Sequence, residues 1–148
     1  MWHLVHNSLA VCRNLAHRGM KVDTLCPMCQ RLDEDPGHLF FKCKAVKECW
    51  RNLNLEEYRL ILSTCRSGRE MMQKIWSFST HVQVQIVVLL WKWWSVRNKV
   101  NVGERKLTGL EICSLVTFYV SEFEMEQRTI KIQQQIGQRR WEPPPENV

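Results

Sequence analysis

Apolar residues recur every three or four positions along most of the chain, which is the spacing of one face of an α-helix. Residues 70–100 contain no glycine or proline, and the repeat there runs through Ile75, Phe78, Val82, Ile86, Leu90 and Trp94. This pattern predicts one long helix. A second repeat begins near residue 108 and continues to Gly137, which predicts another long helix.

Short polar pairs predict where three of the helices begin. A Ser, Thr or Asn side chain accepts a hydrogen bond at the helix start, and a Glu three residues later bonds back to it. Such pairs occur at Asn54–Glu57, Ser67–Glu70 and Thr108–Glu111. Residues 38–50 also fit a helix, and residues 1–20 fit one that stops at Gly19. The chain is therefore predicted to be mostly helical.

The predicted middle helix is apolar on nearly every side around residues 86–94. Its uninterrupted apolar run covers only Ile86 to Trp91, whereas a membrane span needs roughly 20 apolar residues. No membrane contact is therefore expected. A helix of this kind is either buried or docks on a partner, so the helix at 75–98 could bind another protein or form a homodimer.

The chain closes with the sequence WEPPPENV. Three consecutive prolines favour an extended backbone, because proline fixes φ and cannot donate a backbone hydrogen bond. Residues 138–148 are therefore expected to form an extended Pro-rich linker or tail.

Four residues near the start of the chain predict a metal site. Cys26, Cys29, His38 and Cys43 follow the spacing C-x2-C-x8-H-x4-C within 18 residues. Three thiolates and one imidazole complete the tetrahedral shell of a structural Zn²⁺, which leaves no position for a catalytic water. The spacing therefore favours one structural zinc per chain, in a protein that is not an enzyme.

Other interpretations of these residues are weaker. A CxxC pair alone also fits a redox motif, or arises by chance in a chain with seven cysteines. Cys49 is an alternative fourth ligand that ranks well below His38. The cysteines left over are expected to be small buried apolar side chains or surface thiols, and they are Cys12, Cys49, Cys65 and Cys113.

The first twenty residues are interrupted by polar and charged side chains, and they lack the apolar segment of a secretory signal. We therefore expect an intracellular protein of the nucleus or the cytoplasm. In such a reducing compartment, clustered Cys and His residues favour metal binding over disulfides.

The net charge is +6, but the excess of basic residues is spread along the chain. Residues 1–50 hold 7 Lys and Arg against 5 Asp and Glu, and residues 51–148 hold 14 against 10. Charge alone therefore permits contact with nucleic acid without predicting it. The carboxylates at 33–35 are expected to form a solvated acidic loop. The tryptophans at 76, 91, 93 and 94 could stack on unpaired bases, but a place in the core is favoured.

The segments HNSLAVCRNLAHRGM and CPMCQRLDEDPGHLFFKC, followed by a Trp at position 50, resemble a known family. They are similar to the zinc-binding domain found downstream of the reverse transcriptase in plant non-LTR, or LINE-type, retrotransposons. The positions that fit its pattern are His6, Asn7, Leu9, Asn14, Leu15, Arg18, Gly19, Cys26, Pro27, Cys29, His38, Leu39, Phe40, Phe41, Cys43 and Trp50. Ala10 and Val11 depart from it, because the family tends to have Pro-Thr there.

The resemblance continues more loosely beyond residue 50. Trp94, Arg97 and Asn98 are similar to a Trp-rich helix that ends in an Arg-Asn pair, and WEPPPENV resembles the linker before a ribonuclease H domain. The resemblance therefore implies a chain that is truncated before that domain. It also implies a non-catalytic zinc-binding module of retroelement origin, which contacts RNA or DNA with little sequence preference.

The predicted architecture is a Cys3His zinc-binding unit at 1–52, a helical region at 53–137 packed on it, and the Pro-rich tail at 138–148. The predicted function is contact with nucleic acid through a zinc-stabilised basic surface. The phosphate-facing residues would be Arg13, Arg18, Lys21, Arg31, Lys42 and Lys44. The alternatives are a protein-interaction or scaffold module that docks through helix 75–98, and a decayed retroelement fragment without selected function.

Overall fold

The prediction of a mostly helical protein is confirmed. The computed structural model describes His3, His6 and residues 8–137, and in that part of the chain the β-structure is limited to one isolated bridge. The tail predicted at 138–148 lies outside the described residues. The elements in chain order are α1 (Cys12–His17), a π-helical turn (His38–Lys42), α2 (Lys44–Asn52), α3 (Glu56–Ser63), α4 (Gly68–Ser77), α5 (Thr80–Asn101) and α6 (Gly109–Gly137).

One cluster of buried apolar side chains reaches from Leu9 to Val120. Trp50 on α2 and Trp93 on α5 are its largest fully buried members. Helix α2 packs against the π turn and against α6, while α3 and α4 connect the π turn to α5. Both predicted units, 1–52 and 53–137, contribute side chains to this core. The boundaries of these units stay predictions.

The two longest helices form an antiparallel pair. Near the start of α5, Nδ1 of His81 lies 2.5 Å from Oε1 of Glu124 on α6. Further along, the ring centroids of Trp91 and Tyr119 lie 5.4 Å apart. Contacting residues of the two helices are therefore closer together in sequence near the loop that joins the helices, as a helical hairpin requires. None of the described helices is both long and apolar enough to cross a membrane.

The single long helix predicted over residues 70–100 is wrong, because the chain breaks between α4 and α5. Phe78 is extended, with φ −82° and ψ 169°. The side-chain amide of Gln83 donates to the carbonyl oxygens of Trp76 and Phe78, at 3.1 and 2.8 Å, and so satisfies groups that the break sets free. The Phe78 ring also packs edge-on against Tyr58, with centroids 4.8 Å apart.

Two of the three predicted helix starts are confirmed. Ser67 Oγ accepts from the Glu70 amide at 3.1 Å, and the Thr108–Glu111 pair makes both bonds of the capping box, at 3.2 and 2.7 Å. The prediction for Asn54 is wrong. Its φ of +57° is left-handed, a conformation that Asn tolerates better than most residues. Asn54 therefore ends the turn after α2, and α3 begins without a side-chain cap.

One predicted helix end is also confirmed. Gly19 follows α1 with φ +83°, a conformation that glycine adopts without the steric cost of a side chain. Helix α6 continues to Gly137, the last described residue, so the end predicted there stays a prediction. The prediction of one helix over residues 1–20 is wrong over residues 8–11, which are not helical, and α1 begins only at Cys12.

Candidate metal centre

His38 and Cys43 lie at the two ends of one wide turn. The Cys43 amide donates to the His38 carbonyl at 2.7 Å, which is the five-residue spacing of a π-helix. Cys43 then has ψ 134°, so α2 starts afresh at Lys44. The prediction of one helix over 38–50 is therefore wrong. In a regular α-helix these side chains would point about 140° apart, at about 100° per residue, and could not share a metal.

The π turn is buried, and its freed carbonyl groups find donors on other helices. A buried carbonyl without a partner costs about 1–3 kcal/mol, so these bonds hold the turn in place. The donors are Trp93 Nε1 to the Leu39 carbonyl at 2.9 Å, Trp50 Nε1 to the Phe40 carbonyl at 2.9 Å, and Arg59 Nη1 to the Phe41 carbonyl at 2.7 Å. The tryptophan-rich sequence is thereby partly explained: two indoles hold the segment that carries two of the ligands.

The first two cysteines lie on a tight loop. The Cys26 amide donates to the Leu32 carbonyl at 2.9 Å, and the Gln30 amide donates to the Cys26 carbonyl at 2.8 Å. The Glu34 amide closes the base of the loop by donating to the Thr24 carbonyl at 2.8 Å. Gln30 is left-handed, with φ +53°, which lets the chain reverse directly after the CPMC segment.

The four predicted ligands converge. Their donor atoms all lie within 4.8 Å of one another, and Cys29 Sγ lies 3.4 Å from His38 Nε2. Tetrahedral zinc with bonds of about 2.0–2.3 Å needs donors roughly 3.5–3.8 Å apart, so the cluster fits the ion with small side-chain adjustments. Cys49 lies outside the cluster, and its carbonyl instead accepts from the Cys113 thiol at 3.7 Å.

The protonation state of the cluster suits a metal ligand set. Burial lowers the pKa of the His38 imidazole, so the ring is neutral and keeps a lone pair for a metal. A hydrogen bond between the two thiols lowers the pKa of Cys43 and raises the pKa of Cys26. The hydrogen bond therefore favours Cys43 as the thiol that loses its proton first. Zinc needs both sulfurs as thiolates, so its binding releases the protons that these thiols carry.

The acidic loop predicted at 33–35 is only partly solvated, because Glu34 is fully buried. Its carboxylate forms a bidentate ion pair with Arg97 of α5, through Nε at 2.7 Å and through Nη2. The Cys12 amide donates to the same carboxylate at 2.8 Å. The prediction was wrong because the partner of Glu34 lies 63 residues away.

Cys12 completes this buried network. Arg97 Nη2 donates to the Cys12 sulfur at 3.3 Å. Burial is the main cause that raises the pKa of this thiol to about 11, so it stays protonated at neutral pH. All seven cysteines are free thiols. Of the four that the metal cluster does not use, Cys65 is partly buried and the other three are buried, which matches the prediction.

The six basic residues predicted to face phosphate are all exposed, but only two of them line one cleft. Arg13 and Lys42 line the same cleft, between α1, the π turn and the α3–α4 connection. Arg13 also lies 3.5 Å from Asp35, and Arg18 donates to the Ser8 carbonyl at 3.3 Å. The residues that do not line the cleft are Arg18, Lys21, Arg31 and Lys44.

The tryptophans divide between the core and the surface. Trp93 is fully buried and Trp94 is half-buried, as the preference for the core predicts. Trp76 and Trp91 are 59% and 52% exposed, so the prediction is wrong for these two. Helical spacing indicates only which positions share a face, and it does not show which face is buried.

Comparison with known proteins agrees with the geometry of the cluster. Residues 1–50 match the model of a family described as zinc-binding in reverse transcriptase. That range contains all four converging ligands. No curated protein matches the chain, and no solved structure does. The family match and the Cys3His cluster together support a zinc-binding module.

Replacing Arg97 tests the buried ion pair. Arg97→Met leaves the Glu34 carboxylate in the core without its partner, so we expect the free energy of unfolding to fall by about 3–5 kcal/mol. Urea denaturation followed by circular dichroism measures this loss. The matched control is Arg105→Met, which removes an exposed arginine paired with Glu111 at 2.9 Å and should have a much smaller effect. Equal losses in the two variants would refute the structural role of the pair.

Proposed function

We propose that the protein is a non-catalytic zinc-binding module that contacts nucleic acid, RNA or DNA, through a basic surface stabilised by the metal. The observation that supports this most directly is the convergence of Cys26, Cys29, His38 and Cys43 within 4.8 Å. The family match over residues 1–50, which is described as zinc-binding in reverse transcriptase, supports it independently. We expect one zinc per chain.

The donor set argues for a structural role of the metal. Three sulfurs and one nitrogen fill a tetrahedral shell, so no position is open for a water or a substrate. When bound, zinc supplies folding energy to the segment that carries its ligands, because the unfolded chain has no preformed site. The other side chains of this ligand-bearing segment orient the donor atoms and exclude water. We assign no catalytic proton transfer to these side chains.

The nucleic-acid part of the proposal rests on charge. The net charge is +6, and six Lys and Arg side chains between residues 13 and 44 are exposed. Contacts between such side chains and phosphate groups carry no sequence information. Binding is therefore sequence-tolerant and driven mainly by the release of counterions from the nucleic acid.

We further propose that the module derives from a plant LINE-type retrotransposon. The segment HLFFKC and the CPMC pair support this origin through the family that they resemble. The truncation before a ribonuclease H domain stays a prediction. Thiolate ligands survive in a reducing compartment, which supports a place in the nucleus or the cytoplasm.

Salt dependence tests the nucleic-acid contact. We expect zinc-loaded protein to bind a short labelled single-stranded oligonucleotide, as measured by fluorescence anisotropy. With about three cation–phosphate contacts, the logarithm of the association constant should fall by about 2 per tenfold rise in salt, at about 0.7 per contact. Two oligonucleotides of different sequence should bind alike.

The control for this experiment is protein stripped of zinc with a chelator. It should bind more weakly, because the ligand loop and the π turn no longer hold their basic residues in place. Affinity that is independent of salt, or no binding even at low salt, would contradict the proposal.

A groove between α4, α5 and α6 favours a second candidate function, the association of two copies of this chain. The groove has a volume of about 810 Å³ and its surface is mainly apolar, with Trp76, Val87 and Phe123 among the lining residues. Its rim carries both Glu124 and Lys131. Opposite charges on one patch allow it to pair with its own copy across a two-fold axis.

Sedimentation velocity at several protein concentrations tests this second candidate. A dimer that Trp76→Ser weakens would support association through the groove, because that substitution removes the most exposed apolar side chain of the lining. Leu60→Ser, at a similarly exposed apolar position outside the groove, serves as the control. A monomer at every concentration would exclude it.

A further inference from the structure

A cleft of about 630 Å³ separates α1 and the π turn from the α3–α4 connection. Its walls bring together basic side chains that lie far apart in sequence: Arg13, His17, Lys42 and Arg66. Asp35 is the one carboxylate among its lining residues. The cleft therefore concentrates positive charge that the sequence distributes over more than fifty residues.

Two of these side chains are charged and free to take an external partner. Lys42 and Arg66 are exposed, and within the described part of the chain their side chains make no ion pair and no hydrogen bond. Arg13 is paired with Asp35 only at 3.5 Å, between side chains that are 54% and 40% exposed. Exposed pairs of this kind contribute little, so an incoming anion can compete for Arg13.

The two walls of the cleft belong to different parts of the structure. Lys42 lies on the π turn, between the Phe41 carbonyl that Arg59 holds and the metal ligand Cys43. Arg66 lies beyond residue 50, just before α4, where Glu70 holds its backbone amide at 2.8 Å. Both cations are therefore anchored through their backbones while their side chains stay open to solvent.

We propose that this cleft seats phosphate groups from the backbone of one nucleic-acid strand, and that Arg66 is a binding residue together with Lys42 and Arg13. The inference rests on the proposed function and narrows it from a dispersed basic surface to one site. Guanidinium groups and ammonium groups bind phosphate through charge-assisted hydrogen bonds. A volume of about 630 Å³ admits a short stretch of one sugar–phosphate backbone, so a single strand is the ligand that we assign to the cleft.

The position of Arg66 makes the inference specific to this chain. The family match ends at residue 50, so it does not include Arg66. The basic residues predicted to face phosphate also all lie within residues 1–50. Only the packing of α3 against the π turn brings the α3–α4 connection to the cleft.

The test compares Arg66→Gln with Arg69→Gln. Both arginines are exposed and only three residues apart, but Arg69 does not line the cleft. The probe is a labelled single-stranded oligonucleotide, measured by anisotropy over a range of salt concentrations. We expect Arg66→Gln to weaken binding about two- to fivefold and to reduce the salt slope by about 0.7, while Arg69→Gln leaves both nearly unchanged.

A second comparison covers the other wall. Lys42→Gln should act like Arg66→Gln, whereas Lys44→Gln, an exposed lysine outside the cleft, should not. Zinc content and thermal unfolding are measured for both variants, because each of these lysines flanks Cys43. Arg66→Gln is the decisive variant, because Arg66 lies far from the metal ligands in sequence and its substitution should leave zinc binding intact.

Each outcome decides the inference. If the wild type binds and Arg66→Gln behaves like Arg69→Gln, the cleft is not the site, although the proposed function stands. If the wild type does not bind at low salt, the cleft and the proposed function both fall. A selective loss in Arg66→Gln supports both.

Discussion

The buried π turn can bring His38 and Cys43 to one point only because its carbonyl groups are satisfied from outside. A π turn leaves backbone acceptors that a continuous helix would pair internally. Trp93, Trp50 and Arg59 supply the donors, from α5, α2 and α3. The geometry of the metal centre therefore depends on three helices that contribute no ligand.

The Glu34–Arg97 ion pair also links the metal centre to a helix that contributes no ligand. Glu34 follows the loop that carries Cys26 and Cys29, and Arg97 lies near the end of α5. A buried ion pair contributes little net stability compared with apolar packing. It does select one arrangement of the segments that carry it, because any other arrangement leaves a buried charge unpaired. The ligand loop, α1 and α5 are thus held in one arrangement.

Local chemistry predicted the features of this chain that depend on near neighbours. The cysteine and histidine spacing predicted the converging donors, and Ser67 and Thr108 predicted two helix starts correctly. The sequence could not predict the break at Phe78, because apolar residues keep the helical spacing of three or four positions both before and after the break. The π turn was missed because its donors lie on other helices. Arg66 was missed because its place in the cleft depends on tertiary packing.

Zinc content measured by native mass spectrometry tests the central claim most directly. The account predicts one zinc per chain in the wild type and in His81→Ala, whose histidine is exposed and lies far from the cluster in sequence. It predicts that His38→Ala loses the metal or yields it readily to a competing chelator, because one of four donors is gone. Properly folded wild-type protein without zinc, or His38→Ala that retains it as firmly as His81→Ala, would contradict the account.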